Sequence, residues 1–379
     1  MNETQNKQYD VAIVGAGIVG LANAWMAAQK GKSVIVLERS PKACGASVRN
    51  FGMIWPIGQP LGELFELAMR SREHWLKAAS ESNLWANECG SLHLVHHDDE
   101  LAVIEEFLER ADASLELQLL DREACAKKTQ AANLNDLKGA LWSPWELCVN
   151  PVEAVAQFPS WLNQQWNVQF LFETTAVSVS ENRVITSCGR EIKAEQIAVC
   201  SGADFETLFP KLYSEMGLAK CKLQMLATGP QPNHWKFGPH IAGGLTLRHY
   251  RSFADCPTLP NLKKRISETK PELDKFGIHV MASQNNQGEV ILGDSHVYDD
   301  EITPFDSEAI DDLILHEIRA LIDIPDMQIQ RRWHGIYAKH PTNHVTVRDA
   351  TANCKIVAAT GGAGMTLSFG IAEKLWESW

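Results

Sequence analysis

The segment Tyr9-Asp-Val-Ala-Ile-Val-Gly-Ala-Gly-Ile-Val-Gly20 joins a short apolar run to three glycines spaced Gly-x-Gly-x-x-Gly. An Ala-rich stretch follows to residue 30, and a second apolar run, residues 33–37, ends in an acidic residue. This order predicts a strand, a glycine turn, a helix and a second strand, which together form one βαβ unit. We prefer a ligand site here to an unliganded glycine turn because all four parts are present.

In such a unit, the backbone N–H groups of the turn and the helix N-terminus bind a pyrophosphate. A carboxylate at the end of the second strand accepts hydrogen bonds from the adenosine ribose. The sequence therefore predicts a dinucleotide site. Its first members are Gly15, Gly17, Ile18, Gly20, Glu38 and Arg39.

Composition and charge exclude several classes of function and partner. The chain has 379 residues, 45% of them hydrophobic, which is enough for two domains with buried cores. A net charge of -12 argues against nucleic-acid or anionic-membrane partners. No uninterrupted apolar run is long enough to span a bilayer, and we expect a cytoplasmic protein. Nine cysteines without paired spacing predict neither a disulfide framework nor a metal site.

The residues after the second strand distinguish FAD from NAD. Glu38 disfavours a 2′-phosphorylated cofactor, although Arg39 could accommodate NADP or contact the adenine edge. A loop of small residues, 44–53, then follows directly and suits backbone packed over a flavin ring and its phosphates. We predict FAD contacts at Ala46, Ser47, Asn50, Phe51, Gly52 and Met53.

Two later segments support FAD. Residues 197–203 predict a strand that ends in a small-residue turn. Residues 355–359 predict another strand, followed by a glycine turn and a helix whose N-terminus could stabilise negative charge on the reduced flavin. The further predicted FAD contacts are Val177, Ser201, Gly202, Gly335, Gly361, Gly362, Ala363, Gly364, Met365 and Thr366.

The middle of the chain has a different pattern. Residues 222–228, 279–282 and 289–293 read as strands, and residues 307–321 as a covering helix. We therefore predict an α/β plus α+β protein: a discontinuous Rossmann-type FAD-binding domain with an antiparallel-sheet substrate domain. The expected FAD-binding domain is 1–89, 146–217 and 331–379, and the expected substrate domain is 90–145 and 218–330.

With these segments in place, the chain resembles the D-amino acid oxidase superfamily of FAD enzymes over essentially its whole length. The resemblance implies a glycine oxidase-like or sarcosine oxidase-like fold. It also implies hydride transfer from an amine-bearing carbon to flavin N5, and hydrolysis of the imine to a carbonyl compound. Residues 47–59, 243–250, 293–296 and 361–370 look like a clade associated with aminophosphonate breakdown. That likeness implies oxidation of 2-aminoethylphosphonate or its N-methyl form to phosphonoacetaldehyde.

The departures from better-known members are informative. Where glycine oxidase-like enzymes have an arginine that pairs with the substrate carboxylate, Tyr337 follows Gly335-Ile336. Thr366 stands where sarcosine oxidases have a lysine, and Gly335 stands where they attach FAD through a cysteine. We therefore expect non-covalent FAD and a substrate other than a plain amino acid. O2 is the expected electron acceptor, although the lysine that assists it in sarcosine oxidases has no clear counterpart.

A phosphonate dianion requires charge-assisted donors, and arginine matches its oxygens best. Arg49, and Arg248 together with His249, are the first candidates. The structural alternative is an ion pair that supports the loop for Arg49 and a solvated charge at a strand end for Arg248. Tyr337 and Thr366 could orient the substrate, and Lys339 and His340 are weaker candidates. We name no general base, because a neutral bound amine can lose hydride without one.

Three other functions remain open. An oxidase of sarcosine, glycine or D-amino acids would use the same fold and bind a carboxylate instead. A nicotinamide-dependent dehydrogenase would share the first βαβ unit, but would leave the C-terminal glycine turn without a role. A non-catalytic protein that retains FAD for stability would hold flavin that no amine reduces.

Overall fold

A computed structural model describes residues 7–359 and 361–379. Within these ranges the helices are α1 (Ile18–Gln29), α2 (Glu63–Ser82), α3 (Asp98–Arg110), α4 (Arg122–Lys128), α5 (Pro151–Trp166), α6 (Pro210–Glu215), α7 (Leu259–Thr269), α8 (Pro271–Lys275), α9 (Glu308–Leu321) and α10 (Gly364–Ser378). No described helix is both long and apolar enough to cross a membrane.

The strands form two large sheets and one small one. They are β1 (Gln8–Val14), β2 (Val34–Leu37), β3 (Met53–Ile54), β4 (Ala86–Glu88), β5 (Ser91–Val95), β6 (Gln118–Leu120), β7 (Gly139–Ser143), β8 (Leu147–Val149), β9 (Gln169–Leu171), β10 (Ala176–Ser180), β11 (Arg183–Thr186), β12 (Glu191–Val199), β13 (Ala219–Pro230), β14 (His240–Gly243), β15 (Met281–Gln284), β16 (Glu289–Gly293), β17 (Val297–Tyr298), β18 (Ile329–Lys339), β19 (Val345–Thr351) and β20 (Cys354–Ala359).

The first sheet contains the predicted βαβ unit. Strands β9, β2, β1, β12 and β20 lie side by side and are all parallel, with β10, β11 and β19 added antiparallel. From β1 the chain crosses through α1 to β2 on one side, while β12 lies on the other side. Ligands of open α/β sheets bind at such a switch point, beyond the carboxyl ends of the strands. The fold therefore places a ligand site beside the end of β1.

Successive side chains of β1 point to opposite faces of the sheet, and both faces are buried. Val11 and Ile13 face a core formed with α1, α2, α5 and α10, whereas Ala12 and Val14 pack into a separate core on the opposite face. A strand buried on both faces reads as a continuous apolar run, as the sequence does here. The helical side is filled by aromatic rings in edge-on contact, which are Trp25, Trp75, Phe158, Trp161 and Phe369.

The second sheet follows the order β17-β13-β16-β15-β14-β5-β7-β6, with β18 also paired to β13. It is antiparallel except where β14 runs parallel to β5. Helices α3, α7 and α9 contribute buried side chains to its core. The predicted antiparallel sheet with a covering helix is confirmed. The boundary prediction assigned residues 331–379 to the FAD-binding domain, but β18 is bonded to β13 throughout and so belongs to the second sheet.

Candidate active site

The first glycine turn is built so that side chains cannot enter it. A Cβ on Gly15 would lie 2.4 Å from the carbonyl oxygen of Cys200, and one on Gly20 would lie 1.9 Å from that of Gly15. Gly15 also has φ +103°, which favours glycine. The end of β1, the start of α1 and the end of β12 therefore approach closely, as a pyrophosphate cradle requires.

The N-terminus of α1 is open to an anion. Gly17 is the N-cap, without a side-chain cap, and the first turn contains no acidic residue. The N–H of Ile18 donates to the Ser47 hydroxyl at 3.0 Å, which brings the loop after β2 against the helix. Predicted residues from two separate segments thus meet at the positive end of the helix dipole.

Glu38 closes the other side of the turn. One carboxylate oxygen accepts from the N–H of Ala16 at 2.9 Å, and the other accepts from the N–H of Ser40 at 3.0 Å. Each oxygen keeps a lone pair for a further donor, as ribose hydroxyls would be. Arg39 instead pairs with Asp204 at 2.6 Å on the surface.

The other contacts predicted near the nucleotide lie beside this turn. The N–H of Thr174 donates to the carbonyl of Glu38, which brings the start of β10 near the carboxylate. Val177 lies on β10 and is 44% exposed. The Ser201 hydroxyl pairs with that of Tyr213 at 2.9 Å, and Gly202 follows in the same turn.

The loop from residue 44 to residue 53 is fixed by its own side chains. Asn50 donates to the carbonyls of Ala46 and Ser47, both at 3.0 Å, and accepts from the N–H of Gly52 at 2.8 Å. The carbonyl of Phe51 accepts from the Ser283 hydroxyl at 2.7 Å, which ties the loop to the second sheet. The loop therefore joins the two sheets as a rigid wall.

The predicted C-terminal turn forms the facing wall. Helix α10 begins at Gly364 with Ala363 as its N-cap, and its first turn contains neither a side-chain cap nor an acidic residue. Thr366 accepts from the N–H of Trp55 at 2.9 Å, which connects this helix to the segment after the loop. Of the predicted glycine turn, Thr360 lies outside the described residues.

A cavity of about 300 Å³ lies between these walls and the second sheet. Its lining is drawn from both predicted domains. The lining residues are Asn50, Phe51, Met53, Trp55, Gln59, Leu223, Met225, His249, Tyr250, Arg251, His279, Asp294, His296, Tyr337, Lys339, His340, Pro341, Asn343, His344, Gly361, Gly362, Ala363, Met365 and Thr366.

FAD fits this arrangement. The glycine cradle, the open N-terminus of α1 and Glu38 would hold the adenosine and pyrophosphate. The fixed loop, the C-terminal turn and the start of α10 would hold the flavin beside the cavity. The cradle supports this fit directly, since backbone atoms already occupy the space of any Cβ at Gly15 or Gly20.

One wall of the cavity is a cluster of histidines around a carboxylate. The ring centroids of His249 and His279 are 3.9 Å apart, and those of His249 and His296 are 4.4 Å apart. Nε2 of His279 lies 3.3 Å from Asp294, and Nε2 of His296 lies 4.0 Å from it. Burial holds the pKa of His249 and His279 well below the usual value and lowers that of His296 to about 3. The three rings are therefore neutral.

Asp294 is the only acidic residue among the described residues that line the cavity. Burial raises the pKa of its carboxyl well above the usual value. Its Oδ1 is buried and has no hydrogen-bond partner in the described part of the chain. A buried acceptor without a partner favours a ligand that donates a hydrogen bond to it.

Basic side chains and a tyrosine complete the lining. Lys339 donates to the Tyr298 hydroxyl at 2.8 Å, and burial lowers the pKa of its ammonium. Arg251 is exposed at the rim and donates to the carbonyl of Thr342. Tyr337 is buried, lies beside Gly362, and has a pKa raised well above the usual value by burial. This tyrosine is therefore a neutral hydrogen-bonding group.

The structure does not bring the two candidate arginines to the cavity. Arg49 donates to the carbonyl of His334 at 3.2 Å and is not a lining residue. Arg248 is engaged by Asp274 and donates to the carbonyl of Ile278 at 2.6 Å. Arg49 is thus used in a backbone contact, and Arg248, whose side chain is 11% exposed, is used in an ion pair and is not the solvated charge named as its alternative.

Other predicted residues do meet at the cavity. They are Asn50, Phe51, Met53, His249, Tyr337, Lys339, His340, Gly361, Gly362, Ala363, Met365 and Thr366. Gly335 lies nearby on β18, where a Cβ would be 3.2 Å from the carbonyl of Arg49. The cavity is also lined by Arg251, His279, Asp294 and His344, for which the sequence predicted no site role. Asp294 lies in segment 293–296, which was named only because it resembles the aminophosphonate clade.

Comparisons with known proteins agree with this architecture. A family described as FAD dependent oxidoreductase, abbreviated DAO, matches residues 10–377. L-proline dehydrogenase from P. horikoshii superposes with a TM-score of 0.76 at 18% identity, covering 98% of this chain and 93% of that one. Glycine oxidase from Geobacillus kaustophilus gives 0.76 at 15% identity, with coverages of 98% and 94%.

A curated relative gives a local match only. The 3-oxosteroid 1-dehydrogenase of Mycolicibacterium smegmatis is 39% identical over 49 residues, which are 13% of this chain and 9% of that protein. The chain thus spans less than a tenth of that relative, whereas the family match extends across both sheets and the cavity between them. The protein belongs to the DAO family of FAD-dependent oxidoreductases.

Proposed function

We propose that this enzyme oxidises a small amine that carries a phosphonate group, either 2-aminoethylphosphonate or its N-methyl form, to phosphonoacetaldehyde. The observation that carries the proposal is the charge of the cavity lining. Arg251 and Lys339 are basic, and Asp294 is the only acid among the described lining residues. Such a site suits a small molecule that is mainly anionic and has one cationic group.

The amine part of the proposal has separate support. Two of the solved structures that share the fold are named for glycine and for L-proline, which are both amines. When bound, FAD would accept a hydride from the carbon next to the nitrogen. Water then adds to the resulting imine, and the C–N bond breaks to give an aldehyde and an amine. We propose O2 as the acceptor that reoxidises the flavin.

The phosphonate part depends on how the cavity would bind an anion. Tyr337 occupies the position where the resemblance expects a carboxylate-binding arginine, and its buried hydroxyl is neutral. Of the basic groups that line the cavity, Arg251 lies on another segment, and Lys339 lies two residues after Tyr337 at the end of β18. A phosphonate has three oxygens and up to two negative charges, so it would use several separate donors better than a carboxylate would.

The experiment is anaerobic mixing of the oxidised enzyme with a panel of amines, followed by bleaching of the visible flavin band. The panel is 2-aminoethylphosphonate, its N-methyl form, sarcosine, glycine and D-alanine. Bleaching by the phosphonates alone supports the proposal. Faster bleaching by the amino acids identifies an amino acid oxidase, the second candidate, because the same basic rim could bind a carboxylate. Oxygen uptake during turnover tests the acceptor.

A further inference from the structure

The wall of the cavity around Asp294 contains buried polar atoms that lack hydrogen-bond partners among the described residues. The Asp294 side chain is 7% exposed, and its Oδ1 lies 3.3 Å from Nε2 of His279 without forming an aligned hydrogen bond. Nδ1 of His279 is also buried and has no partner in the described ranges. Two buried polar atoms of one wall therefore lack partners, although nearly all such groups in proteins are hydrogen-bonded.

The tautomer of His296 makes one of its ring nitrogens an acceptor. Its Nδ1 lies 2.9 Å from the carbonyl oxygen of Gly277, and a carbonyl can only accept. Nδ1 therefore carries the hydrogen and Nε2 carries a lone pair, because burial keeps the ring neutral. This Nε2 lies 4.0 Å from the Asp294 carboxylate. The wall thus presents a carboxylate beside the lone pair of a neutral imidazole.

A group with several N–H donors and a positive charge complements this wall. We propose that Asp294, with His279 and His296, binds the ammonium group of the substrate and that the Asp294 carboxylate accepts its proton before oxidation. The inference rests on the proposed function, which supplies an amine as the substrate. It assigns the two ends of the cavity: the ammonium lies at the Asp294 wall, and the anionic group lies toward Arg251 and Lys339.

The proton transfer is balanced within the site. An N–H bond of the ammonium breaks, its electron pair remains on nitrogen, and the proton forms an O–H bond on Asp294. Burial favours this transfer because it raises the pKa of a carboxyl group and lowers that of an amine. The freed lone pair is what the neighbouring carbon needs in order to lose a hydride. The other titratable or charged groups that line the cavity with Asp294 are His249, Tyr250, Arg251, His279, His296, Tyr337, Lys339, His340 and His344.

Binding to the reduced holoenzyme, in which no turnover can occur, tests the inference by calorimetry. Each probe is compared with its counterpart lacking nitrogen: 2-aminoethylphosphonate with ethylphosphonate, and glycine with acetate. In the wild type, the amine should tighten binding at least about tenfold, since its ammonium group donates charge-assisted hydrogen bonds to a buried carboxylate. In Asp294→Asn this advantage should fall below about threefold, while binding of ethylphosphonate changes little.

Asp311→Asn is the matched control. Asp311 is another buried carboxylate of the second domain, but it pairs with Arg332 and does not line the cavity. It should keep the full advantage of the amine. His279→Asn is the second variant, to be used if Asp294→Asn does not fold. It keeps a short polar side chain and should reduce the advantage by about threefold or more.

Several results would overturn the inference. One is an equal loss of affinity for both members of a pair in Asp294→Asn. Another is a stoichiometric transition metal in the purified holoenzyme that is removed by His279→Asn, because the acceptors would then hold a metal. If no amine reduces the oxidised enzyme, the proposed function itself fails. If amines reduce it but Asp294→Asn retains the full amine advantage, only the inference fails.

Discussion

The carboxylate of Glu38 accepts a hydrogen bond from the backbone N–H of Ala16 at 2.9 Å, which ties the end of β2 to the first glycine turn. The second carboxylate oxygen is held by the N–H of Ser40. The side chain is therefore fixed before any ligand arrives, and a fixed acceptor loses little conformational freedom when a ribose binds.

Replacing Glu38 by Ala should weaken FAD binding by about ten- to a hundredfold, because it removes the ribose acceptor and loosens the turn. The dissociation constant can be measured by adding FAD to the apoprotein and following flavin fluorescence. Glu105→Gln changes an exposed acid of α3 and serves as the control. Equal FAD affinity in the two variants would show that Glu38 does not bind the cofactor.

Gly20→Ala should destabilise the protein by about 1–3 kcal/mol and reduce its flavin content, because overpacking strains a fixed backbone. The added Cβ would lie 1.9 Å from the carbonyl oxygen of Gly15, which cannot move without opening the turn. Gly45→Ala is the control, since a Cβ there meets nothing within 4 Å. Thermal unfolding and the ratio of flavin to protein absorbance report both effects. Unchanged values for Gly20→Ala would exclude the close approach.

The fold was largely predictable because its signals are local. Apolar runs, glycines and one acid specify the first βαβ unit, and α9 matches the covering helix predicted for residues 307–321. Helix α5 was not predicted. Pro151 lies at its first position and Pro159 inside it, and proline usually marks a helix boundary. Its apolar face, with Phe158 buried against Trp25 and Trp75, offsets that signal.

The cavity was less predictable because its side chains come from distant segments. His249, His279 and Asp294 meet only through the pairing of β14, β15 and β16, which single residues do not specify. The arginines illustrate the same limit. Arg248 ends a short 3-10 turn, Gly244–Arg248, and points to Asp274, whereas Arg251 lies one turn further on at the rim. Because Arg248 and Arg251 are only three residues apart, the sequence alone does not show which of them reaches the cavity.

Arg251→Gln should raise KM for the proposed phosphonate substrate by about tenfold or more with a smaller change in kcat, because it removes a charge-assisted donor at the rim. Arg248→Gln should act differently. It leaves Asp274 without its partner and should lower the unfolding temperature more than it changes KM. Steady-state kinetics and thermal unfolding of both variants check this contrast. If KM rises only in Arg248→Gln, the substrate anion is bound by Arg248, as the sequence predicted, and not by Arg251.

The flavin should be released when the protein is denatured, because we expect it to be non-covalent. Gly335 stands where the resemblance places an attachment cysteine, and no cysteine is among the described residues that line the cavity. Acid precipitation followed by chromatography of the supernatant measures this directly. Flavin that remains in the pellet, or in the protein after denaturing electrophoresis, would contradict the expectation.

The free energy of unfolding should fall as pH decreases from about 6.5 toward about 3. In this range a histidine takes up a proton in the unfolded chain, whereas a buried histidine stays neutral in the folded protein. Burial lowers the pKa of His93 to about 3, and neither ring nitrogen has a hydrogen-bond partner in the described ranges. Because the folded-state pKa of His93 lies below its unfolded-state pKa, the unfolded chain binds this proton first as pH falls. The contribution of His93 to stability is therefore complete above the unfolded-state pKa and is lost on acidification.

His93→Leu should therefore reduce the dependence of stability on pH by up to about 1.4 kcal/mol per pH unit, which is the limit for one proton. The side chain packs between Trp55 and Phe253, so leucine keeps apolar contact there. Denaturant unfolding with saturating FAD at about pH 7.5 and about pH 5 measures the slope. His316→Leu, on the exposed face of α9, is the comparison variant. Parallel pH profiles for wild type and His93→Leu would mean that His93 is not buried as a neutral ring.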